Sequence, residues 1–362
     1  MILTIAIPSG GILIDMKTMC CKISSTALIG FFALTTQGAI ATVSGPFIHR
    51  NLQIFLIEGE SQLEGRNYIT LSEAMTNGMV VVKETGNVSE LRIQNRSKEA
   101  TVFLNAGDIV KGGRQDRTIR DDQILETQSG SVPLPTFCVE NGRWTKRGRE
   151  DATVFAENNK ILPSRKLKLA ARYGQDQSDV WSSVAEQQSK LNGNVSRLSK
   201  KKVETRDAVS ASSLQLTLEN KEFNEIKKEY LEELEPLLKD KSEVIGFAYA
   251  INGELNTAEV YNNKKLFRAL WPKLLDSAVT EAVAEHDTDR KFPELSASQI
   301  ESFCQTALSG ALEKGSVSKS NATRTLITPT TILFETRDSQ GGLWLHRTFM
   351  KKTPGEARNQ GR

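Results

Sequence analysis

The segment Asn105 to Asp122, NAGDIVKGGRQDRTIRDD, concentrates residue types that handle anions. Gly107 and the adjacent pair Gly112 and Gly113 let backbone N–H groups approach a ligand closely and permit positive φ. Lys111, Arg114, Arg117 and Arg120 add four positive charges to the same segment. Backbone amides combined with a guanidinium fork are the usual means of holding a phosphate or carboxylate. Lys111, Gly112, Gly113, Arg114, Gln115 and Arg117 are therefore candidate ligand-binding residues. Asp108 and Asp116 are the candidate catalytic groups, since either carboxylate can act as a base, hold a ribose hydroxyl or orient the arginines. The residue order is neither a phosphate loop, which closes on Lys-Ser/Thr, nor a dinucleotide fingerprint. The competing reading is a structural turn in which Asp108 and Asp116 pair with Arg114 and Arg117.

A second string has its own chemistry. Cys138, Glu140, Arg143 and Trp144 surround Asn141-Gly142, a strong two-residue hairpin signal. Alternation places Cys138 and Glu140 on one face of a strand, with Arg143 returning toward that face. An arginine beside an aromatic ring grips a carboxylate or phosphate while the ring stacks on a base or sugar. Glu140, Arg143 and Trp144 thus join the candidate binding set. The alternative is a hairpin whose Trp144 packs in the core and whose Arg143 pairs with Glu140. A nucleophilic Cys138 needs a base, and spacing places none of His49, His286 or His346 beside it. Isolated histidines and the absence of a close cysteine pair after residue 41 give no zinc spacing. Asp108, Asp116, Asp121 and Asp122 remain as a weak Mg²⁺ or Ca²⁺ set, so no metal and no cofactor is assigned.

These strings also carry a family resemblance. AGDIVKGGRQDRTI, followed by PLPTFCVENGRW and QDQSDVW, resembles a bacterial domain of unknown biochemistry, the ADP-ribosylglycohydrolase- and rhodanese-phosphatase-associated protein domain. The similarity continues through GFAYAINGELNTAEVY and LFRALWPKLL and spans residues 47–350, which implies a single domain of that length. The resemblance implies an association with the processing of ADP-ribose-like or other nucleotide-sugar metabolites. It brings no established reaction.

The elements that must position these residues read as an α+β fold: a β-rich N-terminal half with hairpins, then helices, then a second antiparallel hairpin set. Leu52–Ile57, Met79–Lys83, Leu91–Gln94, Thr101–Leu104 and Thr136–Glu140 are short apolar or alternating runs, and Leu71–Thr76 is one helical turn. Val180, Trp181, Val184, Ala185 and Leu191 share a helical face, with Ser178 as N-cap. Ser196–Arg206 is a basic solvated stretch. Residues 220–240 are Glu/Lys/Leu-rich and helical up to Pro236. Asn252-Gly253 joins two strands, Glu243–Ile251 and Glu254–Tyr261. A helix begins near Pro272, which suits a first turn. Ser296 and Gln299 form a capping box for a helix with Ile300, Phe303, Cys304, Ala307, Leu308 and Ala311 on its apolar face, ending at Gly315. Strands Thr330–Arg337 and Leu343–Met350 close the fold.

Composition bounds the rest. The chain has 362 residues, 25% of them charged, with a net charge of +3. This is a globular composition, and the charge is too small for bulk nucleic-acid binding, so anion recognition must be local. Arg143–Arg172 carries nine Lys/Arg against three Asp/Glu, which favours an anionic small molecule or a solvated basic face. No nucleic-acid reading module is present. Residues 1–41 have the order of a signal peptide: Lys17 and Lys22, an apolar run Ile23–Leu34, then Ala39-Ile40-Ala41. The apolar stretch before the basic region suggests Met16 as the true start. Export to the periplasm or outside follows, with no transmembrane span after cleavage. Cys138 and Cys304 would then remain, either as a disulfide or as two separate buried thiols. Residues 351–362 form a polar tail.

Overall fold

The computed structural model describes residues 42–287 and 290–352. The expected leader over 1–41 and the tail beyond Lys352 lie outside the described residues.

The chain opens with β1 (Thr42–His49) and β2 (Leu52–Glu58), which later strands extend. It then builds a small strand-rich unit from β3 (Tyr68–Thr70), α1 (Leu71–Thr76), β4 (Val80–Asn87), β5 (Glu90–Asn95), β6 (Thr101–Leu104), β7 (Ile109–Gly112), β8 (Arg117–Ile119), β9 (Gln123–Leu125), β10 (Gly130–Cys138) and β11 (Phe155–Ala156). Six of these form a sheet in the order β11-β7-β8-β10-β5-β4. A bridge between Lys83 and Val154 ties its two edges together. The result is a nearly closed barrel filled by Val82, Leu91, Ile93, Leu104, Val110, Ile119, Leu134 and Phe155. β3, β6 and β9 form a separate three-stranded sheet, and β3–β6 is the single parallel ladder among the described residues. Thr70 and Glu73 close a capping box on α1, which fixes this six-residue helix despite its length.

Helices follow: α2 (Arg165–Leu169), a π-helical turn over Ala170–Gly174, α3 (Gln177–Ser199), α4 (Leu214–Leu218) and α5 (Lys221–Leu234). α3 is capped by Asp176 rather than Ser178: the Asp176 carboxylate accepts from the Asp179 N–H. α5 passes at Glu235 into a 3₁₀ turn that contains Pro236, so the proline ends the α-helical ladder as expected.

The C-terminal part adds β12 (Val244–Ile251), β13 (Glu254–Tyr261), α6 (Lys264–Ala284), α7 (Ala297–Leu308), β14 (Ala311–Val317), β15 (Asn321–Ile327), β16 (Thr331–Asp338) and β17 (Trp344–Lys351). Together with the first two strands they make an antiparallel sheet ordered β1-β2-β12-β13-β17-β16-β15-β14. Alternation divides its residues between two cores. Ile54, Leu56, Phe247, Tyr249 and Tyr261 pack against α3, α5 and α6. Phe55, Ile57, Ala248, Val260, Leu333 and Phe349 pack with Ile300, Cys304 and Ala307 of α7. The fold is α+β and strand-rich.

Asn252 and Gly253 both take positive φ, 54° and 73°, as a type I′ hairpin requires. The other Asn-Gly pair makes no hairpin. After β10 the chain bends through Asn141-Gly142 and no strand returns beside it, because Arg143 and Arg147 turn inward to Glu140 and Asp116. α6 begins eight residues before Pro272, where the Asn263 side chain accepts from the Leu266 N–H. Pro272 therefore sits inside the helix. The Ser296/Gln299 capping box is present, but α7 stops at Leu308. Gly310 packs against Ile327 and Ala307 backbone with no room for a Cβ, and Ala311 and Gly315 belong to β14 rather than to the helix.

Candidate functional site

The Gly-rich basic segment folds onto the barrel wall, where two of its cations, Lys111 and Arg117, meet acids. Gly112 and Gly113 adopt φ of 116° and 57°. A Cβ on Gly113 would lie 2.4 Å from the Phe155 ring, so this glycine is required by packing as well as by φ. Lys111 donates to Glu219 at 2.6 and 2.8 Å. Arg117 is fully buried beside Glu84, with its Nη1 donating to Gln115. Gln115 donates to the Glu140 carbonyl at 2.9 Å. Arg114 is exposed, and its side chain has no partner among the described residues.

Asp116 and Glu140 are both fully buried and share a guanidinium that the sequence reading did not select, that of Arg147. Its Nη1 and Nη2 donate to the two Asp116 oxygens at 3.0 and 3.2 Å, and Nη1 also reaches Glu140 at 3.3 Å. Arg143 contacts Glu140 at 2.6 Å, and Ser213 and the Gly112 N–H donate to Asp116. Burial and the neighbouring Glu140 raise the Asp116 pKa against the pull of Arg147. Burial also opposes ionisation of Glu140, but Arg143 and Ser210 overcome it and lower that pKa. A carboxylate with this many donors is a brace with no oxygen left for substrate. Trp144 is half exposed rather than packed in the core.

Asp108 lies apart from Asp116. It is buried and paired with Lys273 of α6, which docks the barrel onto the helical layer. Asp121 pairs with Arg120 and Asp122 with Arg172. The four aspartates thus face four different cations, and among the described residues no group of three or more His, Cys, Asp or Glu gathers as metal ligands. Cys138 and Cys304 are both buried free thiols and do not pair. Cys138 contacts the Val88 carbonyl at the barrel wall, while Cys304 sits under α7. Burial pushes the Cys138 thiol up to about 11 and Cys304 higher still, and no imidazole contacts either.

A different set of residues surrounds a cleft of about 910 Å³ between the barrel and the large sheet. Its walls are the loops on either side of β9 and the β14–β15 hairpin; Tyr173 and Phe334 supply apolar surface, and Arg120 and Arg172 supply charge. Arg172 leaves the π-helical turn that interrupts the helix after α2, a feature often associated with functional positions. Its guanidinium stacks 4.5 Å from the Phe334 ring centroid and donates to Asp122 and Thr348.

Behind Arg172 lies a buried relay. His346 Nδ1 is 2.8 Å from Asp122, and its Nε2 is 2.7 Å from Glu259. Ionised carboxylates only accept, so both ring nitrogens carry hydrogen and His346 is an imidazolium. Burial alone would lower its pKa, but Asp122 and Glu259 outweigh it and raise the value. Burial likewise opposes ionisation of both carboxylates, and their cations overcome it to hold each pKa down. Tyr261 stacks on the imidazole at 4.2 Å. Lys168 stands 3.7 Å from Glu259. Arg172, Lys168 and His346 therefore face Asp122 and Glu259: three buried cations against two buried anions. Of these five, Asp122 stood in the sequence reading as a weak metal ligand and His346 as a histidine with no assigned role. The alternation of Thr348 with His346 along β17 was a usable signal for a shared face; Arg172 and Lys168 were marked only as members of the basic run Arg143–Arg172.

The sequence profile of the ARG and Rhodanese-Phosphatase-superfamily-associated Protein domain matches residues 41–349. No curated protein and no solved structure matches the chain.

Proposed function

The chain belongs to the ARG and Rhodanese-Phosphatase-superfamily-associated Protein domain family, and from that premise we propose that it binds an anionic small molecule of nucleotide-sugar or ADP-ribose-like chemistry. The ligand lies in the cleft, with its phosphate at Arg120 and Arg172 and its base or sugar against Tyr173 and Phe334. The observation that carries this reading is a cleft whose lining sets the Arg120 and Arg172 guanidinium groups with the Tyr173 and Phe334 rings. Among the described residues Arg120 gives only its Nε to Asp121, so its Nη donors can take a phosphate. The Gly-rich loop then serves as a brace, and the saturation of Asp116 and Glu140 by arginine favours binding over hydrolysis at that loop. The protein is exported through its leader and acts outside the cytosol.

Isothermal titration with ADP-ribose, a nucleoside diphosphate sugar and inorganic phosphate tests the reading. Arg120 pairs only with its partly exposed neighbour Asp121, so Arg120→Ala should leave the fold intact. It should weaken binding about tenfold or more, the loss of one charge-assisted hydrogen bond of ~1.5 kcal/mol or more. Arg114→Ala should leave affinity unchanged. The reverse pattern would move the site to the Gly-rich loop, and no saturable binding by any of the three would sink the ligand class. Intact mass of the exported protein tests the leader: cleavage after Ala41 is expected, and retention of residues 1–41 refutes export by this route.

A further inference from the structure

We propose that the free edge of β14 is a dimerisation strand, pairing antiparallel with β14 of a second copy about a two-fold axis through Gly315. β14 ends the eight-stranded sheet: one edge pairs with β15, and the other has no partner among the described residues. All seven of its residues are exposed. Two of them are large and apolar, Leu312 at 66% and Val317 at 85% exposure.

In a regular strand, residues five apart point to opposite faces. The register against β15 changes that. Leu312 opposes Leu326 and Lys314 opposes Thr325, so Glu313 is an inserted residue. Counting past the bulge, Leu312, Gly315 and Val317 share one face, and Lys314 and Ser316 share the other. Two contacts agree. Leu326, opposite Leu312, packs in the α7 core. Ser316 and its partner Thr323 meet through their hydroxyls at 2.8 Å. Glu313 is held by Tyr173 of its own subunit.

The bulge makes the strand complementary to itself. With Glu313 left out of the ladder, Gly315 is the midpoint between Leu312 and Val317. A two-fold axis normal to the sheet at Gly315 keeps each face on its own side. It sets Leu312 opposite Val317 of the second copy, twice by symmetry, and Lys314 opposite Ser316 of the second copy. Apolar residues meet apolar residues, and no like charges stand directly opposite, which is the arrangement that stabilises a ladder. A protected edge carries prolines or charges that repel a neighbour. β14 carries Glu313 and Lys314 and a bulge, but it has no proline, and its apolar face, Leu312, Gly315 and Val317, has no charge.

Sedimentation velocity on the full chain across micromolar concentrations should show a monomer–dimer equilibrium. Val317→Lys sets a charge opposite Leu312 of the second copy and should raise the dimer Kd about tenfold or more, with an unchanged circular dichroism spectrum. Gly315→Cys should form an intermolecular disulfide under mild oxidation, mapped to position 315 by peptide mass spectrometry. Directly facing residues in an antiparallel pair have Cα atoms about 4.5–5.5 Å apart, within disulfide reach. Glu301→Cys, on the exposed side of α7, should not form that link. A chain that stays monomeric at every concentration overturns the proposal, as does a dimer that Val317→Lys leaves intact and Gly315→Cys does not cross-link.

Discussion

Replacing Arg147 by methionine removes the cation that holds both oxygens of Asp116 and also reaches Glu140 at the barrel wall. The guanidinium makes a two-pronged contact to Asp116 at 3.0 and 3.2 Å, a third to Glu140 at 3.3 Å and a fourth to Glu150 at 2.8 Å. Without it Asp116 keeps two neutral donors, the Gly112 N–H and Ser213, and a distant Arg143 at 3.6 Å. Breaking a buried pair from one side costs about 3–5 kcal/mol, because the other charge stays buried and uncompensated. At about 2–4 °C per kcal/mol for a domain of a few hundred residues, the melting temperature should fall by roughly 10 °C. The loss should depend on pH. The folded pKa of Asp116 is already raised, by burial and by Glu140, so the native state binds a proton more readily than the unfolded chain. Such a group favours folding below its folded pKa and disfavours it as pH rises through that value. Losing Arg147 raises that pKa further. The deficit of Arg147→Met against the parent should therefore be largest at neutral pH and shrink as the buffer is made mildly acidic. Calorimetry of both proteins over that range is the assay. A double variant, Arg147→Met with Asp116→Asn, should be less damaged than the sum of the singles. A drop of only a degree or two at neutral pH, or a deficit that does not change with pH, refutes the reasoning.

Three further outcomes follow from the same geometry. His346 has a raised pKa in the folded protein, because Asp122 and Glu259 outweigh burial; its contribution is complete below the unfolded value of about 6.5 and is lost as pH rises through the folded one. Melting temperature should fall on the alkaline side, and His346→Gln should flatten that slope while lowering stability throughout; a slope unchanged by the substitution would count against the imidazolium. Gly113→Ala must fit a Cβ at positive φ against the Phe155 ring and should lose about 2–4 kcal/mol in a denaturant titration. Gly130→Ala, also at positive φ but with nothing within 4 Å, should lose only about 1 kcal/mol; equal losses would show that the ring contact is unimportant. Cys138 and Cys304 are free and buried, with both thiol pKa values pushed up, so a chromogenic disulfide reagent at neutral pH should modify neither until the chain unfolds. A melting temperature that drops on adding reductant would instead reveal a bond between them.

Much of the fold was legible because it rests on local rules. The Asn252-Gly253 hairpin, the Ser296/Gln299 capping box and the break at Pro236 each depend on a few neighbouring residues, and each is present. The second Asn-Gly pair followed the same local rule but lost to a distant one. Arg143 and Arg147 are drawn inward by two buried carboxylates, and a strand cannot return where those side chains must fold back. Pro272 misled for a related reason: the Asn263 cap and the apolar face from Leu266 onward start the helix earlier, and packing tolerates a proline that propensity would place at the first turn. The helical pattern past Leu308 could not reveal β14, because Ala311 and Leu312 continue a helical spacing by chance while Gly310 fits only a tight turn against Ile327.

The candidate site was harder to read because charge composition does not say where each charge is compensated. The Gly-rich segment looks like an anion cradle in sequence, with Lys111, Arg114 and Arg117 in a row. Two of the three meet acids supplied from far along the chain: Lys111 meets Glu219 and Arg117 meets Glu84. The Asp116 and Glu140 carboxylates are likewise met by Arg147 and Arg143. Arg172 lies among a run of basic residues that reads either as a sign of an anionic ligand or as a solvated face. It is instead buried at the cleft floor, where Asp122, Glu259, Lys168 and His346 converge from separate strands and a helix. Along the cleft lining itself the charges balance, with Asp121, Glu126, Glu313 and Glu335 set against Arg120, Lys314, Lys319 and Arg324. Around Arg147, the Asp116 carboxylate is satisfied by the protein itself, with four donors on its two oxygens. In the cleft, the partly exposed Arg120, paired with Asp121, is the cation best placed to meet an outside anion. Binding that runs through this partly exposed group should therefore weaken as salt rises, and an affinity indifferent to salt would count against a phosphate at Arg120.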